Sequence, residues 1–412
     1  MNIAAIRPLA ISHYTATSCV GCGLVALRQS LLRQQTCLKP CDFKDVRLET
    51  WIGEVADLAR IRLPAALKEF DCRNNRLALL GLEADGFMSA AQHLVRTAGA
   101  DRVGLFLGTS TSGILESELA YRRRDPVSGA LPEDFSYRGA QNSYSLASFV
   151  RQLLGLTGPA HVISTACSSS AKVFCSAERM IRLGLIDAAI VGGVDSLCLT
   201  TLYGFHSLEL ASSTVCRPYD RDRDGLSLGE AAAFALLVKS DSSEAERSEI
   251  FFCGYGESSD AYHMSAPHPE GLGAQMAMRS ALQRAAIASD DIDYVNLHGT
   301  ATPNNDAAEG AAVSKVFGPR TPCSSTKGLT GHTLGAAGAL EAVICAQSLQ
   351  FQTMPGGINL RVVDPSIEIS YLVQTQQAPM RFALSNSFGF GGSNCSLIFA
   401  NRDGAGLRAD LA

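Results

Sequence analysis

His161-Val-Ile-Ser-Thr-Ala-Cys167-Ser-Ser-Ser-Ala171 is the stretch from which the rest of the chain is read. The apolar run ending at Ile163 predicts a buried strand, and the small-residue turn 164–170 leads into a predicted helix over 171–184. Cys167 falls where strand becomes helix. Unpaired N–H groups and the positive end of the dipole at a helix start favour a thiolate, so this junction suits a nucleophile. The chain has thirteen cysteines, most of which must be inert, so the neighbours of Cys167 decide its role.

At 412 residues the chain exceeds one ordinary domain and suits two domains or one duplicated unit. With 46% hydrophobic and 18% charged residues it is neither a disordered nor a membrane-spanning composition. There is no uncharged apolar run of about eighteen residues, and Met1-Asn-Ile-Ala-Ala-Ile-Arg7 lacks the features of a signal peptide; a cytoplasmic location without membrane insertion is expected. The odd number of scattered cysteines fits reduced thiols. A net charge of -5 argues against non-specific nucleic-acid binding.

The first hundred residues carry the weakest signals. Cys19/Cys22 and Cys37/Cys41 have unlike gaps and no nearby histidine, so they are taken as fortuitous thiols and no metal site is expected. Helices are predicted over 64–81 and 82–99, with Lys68, Arg73 and Arg76 as a basic surface. A buried strand over 102–108 precedes an exposed polar excursion containing Arg122, Arg123 and Arg124. A strand over 187–195 completes a strand-helix-strand unit, which favours a parallel sheet. After a further strand over 231–239, the polar stretch 241–249 suggests a boundary or a surface hairpin. Strands over 250–256 and 294–297, a helix over 273–288, an Ala-rich buried helix over 331–350 and a closing strand pair follow. The expected division is 1–245, carrying Cys167, and 246–412, carrying two histidines.

Those histidines are His298, ending an apolar strand in Tyr294-Val-Asn-Leu-His298-Gly-Thr-Ala-Thr302, and His332, in Lys327-Gly-Leu-Thr-Gly-His332-Thr-Leu-Gly335. Both sit where strand or loop ends face a common crevice. The glycines of Asn386-Ser-Phe-Gly-Phe-Gly-Gly-Ser-Asn394 would let backbone N–H groups approach a substrate oxygen and form an oxyanion hole.

Six ordered motifs between about residue 101 and 400 now carry a specific resemblance: T-A-C-S-S, R-P-Y-D-R-D-R-D-G-x-x-x-G-E, A-P-H-P-E-G, H-G-T-A-T-x-x-N-D, K-G-x-T-G-H-x-x-G-A-A-G and F-G-F-G-G-S-N. The sequence is similar to the β-ketoacyl-acyl-carrier-protein synthases, the elongating condensing enzymes of fatty acid and polyketide synthesis. The resemblance implies an α/β thiolase fold, two duplicated halves in five αβαβα layers with two buried helices. It implies decarboxylative condensation of an acyl-Cys167 with a malonyl thioester on acyl carrier protein. His298 and His332 would serve the malonyl carbonyl, and the N–H groups of Cys167 and Phe390 the oxyanion. Lys327 and Glu309 would form a supporting ion pair, Thr300 and Thr302 would bind the pantetheine arm, and Phe390 would gate the nucleophile. No cofactor of the chain's own is implied. The implied partner is a carrier protein, an acidic helical bundle for which Lys68, Arg73 and Arg76 are the expected basic docking face, and assembly as a homodimer or as a heterodimer with a non-catalytic homologue is expected. A thiolase or starter-type enzyme would share the fold, but its Cys-His-Asn set lacks the second histidine. The opening segment departs from the family, with Ile11-Ser-His-Tyr-Thr-Ala-Thr-Ser18 where a V-T-G-x-G strand and turn is common.

Overall fold

The segment with the weakest sequence signal forms the central strand of the molecule. In the computed structural model, which describes residues 4–406, Leu9–Ser18 is a ten-residue strand, β1. Its Ile, Tyr and Thr residues suit a pleated, half-buried surface. Besides the two-residue strand Gly21–Cys22, which pairs antiparallel with the end of β1, the other strands of the main sheet are β2 (Val103–Gly108), β3 (Ala160–Ile163), β4 (Ala188–Asp195), β5 (Ala231–Lys239), β6 (Ile250–Ser259), β7 (Tyr294–Asn296), β8 (Pro322–Ser324), β9 (Ser370–Tyr371), β10 (Phe382–Gly389) and β11 (Ser393–Asn401).

Two arms leave the centre in matching order. One runs β1-β5-β4-β2-β3, the other β6-β11-β10-β7-β8, with β9 at its edge. In each arm the first two pairings are antiparallel and the next two parallel. The arms meet where Leu9–Ile11 of β1 pairs antiparallel with 250–252 of β6. The polar stretch 241–249 is the short connection from β5 to β6 and contains a single helical turn, Ser243–Ala245.

Helices cover these arms. On the arm begun by β1 lie α1 (Arg73–Glu83), α2 (Phe87–Ala98) and α3 (Ser145–Leu154), and between the arms lies α4 (Ser169–Arg182), which follows β3. Past α5 (Leu199–Ser207), the other arm carries α6 (Leu272–Ala285) and α7 (Pro303–Phe317). The inner helix α8 (Ala337–Phe351) packs on α4 and on both arms. Every residue from Ala337 to Leu349 is buried. These are the two buried helices that the sequence implies, and their small residues are needed. A Cβ on Gly338 would lie 2.5 Å from the Ala171 nitrogen, and one on Gly108 would lie 2.4 Å from the Ser170 nitrogen. The stretch Leu334–Phe351 has the length and hydropathy of a membrane span, but 89% of it is buried inside the protein, so it is a core helix.

Several predicted elements move. The helix predicted over 64–81 is two pieces, a 3₁₀ turn at Ala65–Phe70 and then α1, whose start is capped by the Cys72 sulfur accepting the Asn75 N–H at 3.4 Å. The next helix begins at Phe87 because Asp85 and Gly86 both turn with positive φ. The helix predicted over 331–350 begins only at Ala337. Gly331 and Leu334 are left-handed there, and a short helix, Lys327–Thr330, precedes the break.

The proposed basic docking helix is also corrected. Arg73, its side chain 12% exposed, pairs with Glu230 and Glu54, and Arg76 pairs with Asp71 at 2.6 Å. Arg73 is thus committed to a buried pair, Arg76 keeps a part-exposed side chain, and Lys68 lies on the separate 3₁₀ turn, so the three do not form one helix face. In the exposed excursion Arg122 and Arg123 bond Asp45 and Asp134, while Arg124 donates to the Tyr121 carbonyl.

Candidate active site

Cys167 sits in the tight turn from β3 to α4, two residues ahead of the helix. Ala166 before it is left-handed (φ 53°), a strained conformation that a functional turn retains. The turn is held by the Thr165 N–H donating to Ser169 Oγ at 2.9 Å and by Ser168 Oγ donating to the Thr165 carbonyl at 2.9 Å. Cys167 is 5% exposed. Burial pushes its thiol up to about 12, against the Lys327 charge and the Phe390 N–H, which pull it down. Desolvation therefore outweighs the helix-start effect expected from sequence, and the resting residue is a thiol.

The strand ends of the other arm bring the histidines to this thiol. His332 Nε2 lies 2.9 Å from Cys167 Sγ, and the His298 and His332 rings meet edge to face with centroids 5.3 Å apart. Both rings have pKa values well below the usual histidine range, through burial first and then the Lys327 charge, so both are neutral. The Leu334 N–H donates to His332 Nδ1 at 3.3 Å, and Lys327 Nζ lies 3.4 Å from His298 Nδ1. With donors at both Nδ1 atoms, each ring keeps its proton on Nε2. The ligand atoms of Cys167, His298 and His332 lie within 4.8 Å of one another. A metal-bound histidine needs the opposite tautomer, donating from its free nitrogen, so this trio is arranged to donate hydrogen bonds.

Lys327 and Glu309 both reach the site but do not pair. Lys327 Nζ bonds Glu341 Oε1 and the His298 carbonyl. Glu309 Oε1 accepts the His298 N–H at 2.8 Å and Oε2 the Gly299 N–H at 2.7 Å, and the Tyr219 hydroxyl and Asn386 amide also donate to it. The supporting ion pair is therefore Lys327–Glu341, and Glu309 holds the backbone beneath His298. Geometry explains the exchange: Glu309 projects from α7 at the end of β7, while Glu341 stands on the first turns of α8 beside Lys327. Glu341 was legible in principle, as a lone carboxylate in an Ala-rich helix that must be buried and therefore needs a cation. Burial raises Glu309 and Glu341 alike to about 7.

A cavity of about 250 Å³ leads to the trio. Its lining includes Thr300 and Thr302, whose hydroxyls lie 2.8 Å apart, and Phe390 of the glycine-rich loop. The Phe390 ring tilts against Phe205 of α5, centroids 5.5 Å apart, a partner that sequence reading missed. Cys19 and Cys37 lie elsewhere, and all thirteen cysteines are free thiols.

Two family profiles match this chain, "Beta-ketoacyl synthase, N-terminal domain" over residues 76–243 and "Beta-ketoacyl synthase, C-terminal domain" over 251–361. Among curated relatives, 3-oxoacyl-[acyl-carrier-protein] synthase 2 of Rhizobium meliloti is 40% identical over 265 residues, 60% of this chain and 62% of the relative. The Staphylococcus aureus protein of the same name is 33% identical over 322 residues, 73% of this chain and 77% of its own length. The mitochondrial 3-oxoacyl-[acyl-carrier-protein] synthase of Arabidopsis thaliana is 38% identical and matched over 57% of its length, so the aligned part falls short of two thirds of several of these relatives. Among solved structures, the ketosynthase ApeO of Xenorhabdus doucetiae, in complex with its chain length factor ApeC, gives a TM-score of 0.86 at 37% identity, covering 96% of this chain and 98% of that one. The ishigamide ketosynthase/chain length factor gives 0.86 at 25% identity over 96% and 99%. Matched in both halves by the family profiles, and in its whole fold by solved ketosynthases, the chain belongs to the beta-ketoacyl synthase family.

Proposed function

We propose that this chain is an elongating condensing enzyme that joins an acyl group on Cys167 to the two-carbon unit of a malonyl thioester. The observation that carries this reading is the convergence of Cys167, His298 and His332 at the end of one cavity, with both histidines neutral and donating. The Cys167 sulfur attacks the acyl thioester, the bond from acyl carbon to donor sulfur breaks, and the departing thiolate takes the proton that Cys167 loses. N–H groups of Cys167 and Phe390 meet the transient oxyanion. A malonyl thioester then places its carbonyl oxygen at the Nε2–H groups of His298 and His332. The bond to its carboxylate breaks, carbon dioxide leaves, and the same donors hold the enolate. Its carbon bonds to the acyl carbonyl carbon, and the Cys167 sulfur leaves. Thr300 and Thr302 face the path of the pantetheine arm, and the arm brings the only prosthetic group the reaction needs.

Intact-mass analysis tests this reading. Incubation with a panel of acyl-loaded carrier proteins should add one acyl group to the chain, lost in Cys167→Ala; acylation of that variant at another cysteine would refute the assignment. The solved ketosynthases that stand with a chain length factor favour a second reading of assembly, a heterodimer with a homologous non-catalytic chain. Native mass measurement of the protein alone and after co-expression with such a chain separates this from a homodimer.

A further inference from the structure

Among the described residues, the wall of the cavity carries the carboxylates of Glu209 and Asp260 and no Lys or Arg. Glu209 follows α5 with a left-handed backbone (φ 57°), its N–H donating to the His206 carbonyl at 2.9 Å, so its place at the mouth is fixed. Its side chain is exposed, and among the described residues it makes no ion pair. Asp260 stands against the glycine-rich loop: its N–H donates to the Gly392 carbonyl at 2.9 Å, and its Oδ1 accepts the Asn394 amide at 2.8 Å. The arginines on neighbouring segments are already committed, Arg223 to Asp364 at 2.6 Å and Arg217 to Asp224 at 3.7 Å.

We infer that Glu209, with Asp260, makes the mouth an electrostatic filter that selects carrier-borne acyl groups against acyl-coenzyme A. This rests on the proposed thioester chemistry. Coenzyme A brings a pyrophosphate and a further phosphomonoester to the mouth behind its pantetheine, whereas a carrier-borne arm brings one phosphodiester. Carboxylates on the cavity wall repel the coenzyme several times more strongly than a single phosphodiester, because the energy scales with the product of the charges and is only partly screened over the roughly 10 Å that separates unscreened from screened charge. Asp260 also supports the loop through Asn394, so Glu209 is the position at which charge can be changed alone.

The test is the single-turnover rate at which one acyl group moves onto Cys167 from coenzyme A and from neutral, phosphate-free pantetheine, compared in the unaltered protein, Glu209→Gln and Glu209→Lys. At low salt the coenzyme A rate, relative to the pantetheine rate, should rise about fivefold in Glu209→Gln and more than tenfold in Glu209→Lys, shrinking to under about twofold at 0.5 M salt. The neutral donor reports any damage to fold or cavity, which would slow both donors together. Equal responses of the two donors, or an increase for coenzyme A that salt does not remove, would overturn the filter while leaving the thioester chemistry intact. No acylation of the unaltered protein by these donors or by an acyl-loaded carrier would refute the proposed reaction, and acylation by the carrier alone, with none from either free donor in any variant, would overturn the filter.

Discussion

His298 and His332 are neutral because burial outweighs everything else around them, and they donate from Nε2 because Lys327 and the Leu334 N–H occupy Nδ1. His298→Ala and His332→Ala should therefore keep transfer of the acyl group to Cys167 and lose condensation by about a hundredfold or more, the usual scale for deleting an oxyanion donor. Single-turnover assays check this, and an equal failure of acylation would make a histidine the base for the thiol. Exchanging the ion-pair partner gives a second prediction. Glu341→Gln should impair condensation through Lys327 and His298, and it should remove a titration that burial places near 7 from the pH profile. A profile unchanged in Glu341→Gln would show that the pair does not set the charge of the site. That Cys167, His298, His332, Thr300, Thr302 and Phe390 belong to one place was legible from the short motifs that carry the family resemblance, and the structure puts all six on the wall of one cavity. That Lys327 pairs with Glu341 and not with Glu309 was not, because it depends on how the inner helix α8 docks beside the short helix Lys327–Thr330.

The inner helices α4 and α8 meet closely enough that side-chain size decides whether they fit. A Cβ at Gly338 would sit 2.5–2.9 Å from the nitrogen, Cβ and Cα of Ala171, four residues past the nucleophile. Gly338→Ala should lower stability by about 1–3 kcal/mol through overpacking, and Gly338→Val by more, with a matching loss of acylation as α4 shifts. Thermal melts compared with acylation rates check this; a stable Gly338→Val variant would mean that the layers are looser than described. The element at residues 73–83 carries a different consequence. Arg73→Glu removes the cation that serves Glu230, a carboxylate with a fully buried side chain, and should cost about 3–5 kcal/mol, so its damage would be to the fold and not to carrier docking. Strands with apolar runs, such as β2, β4 and β5, were visible from the sequence. β1 was not, because its mixture of Ser, His and Thr acquires meaning only from neighbours more than two hundred residues away.

Across the whole molecule, two arms built in the same order place one half's nucleophile against the other half's histidines, so the site exists only when both arms are folded together. The same arrangement buries Glu309 and Glu341, each raised from an ordinary value of 4.5 to about 7. A raised carboxylate favours the folded state fully below the unfolded value and loses that contribution as pH rises through the folded one. Stability should therefore fall between about pH 4.5 and 7, by at most about 3 kcal/mol for each group. Melting temperatures across that window should fall less steeply in Glu309→Gln, although that variant is less stable overall because Glu309 accepts four hydrogen bonds. Equal slopes would assign the titration elsewhere. The central claim concerns the union of the two halves' chemistry, and one measurement reaches it directly. Protein acylated on Cys167 is mixed with malonyl-loaded carrier protein labelled in its free carboxyl group, and the carrier and the released gas are analysed after a single turnover. The account predicts one labelled carbon dioxide for each acyl group lost from Cys167 and a carrier-bound 3-oxoacyl chain two carbons longer. Release of the acyl group without labelled carbon dioxide, or a product that keeps the label, would contradict it.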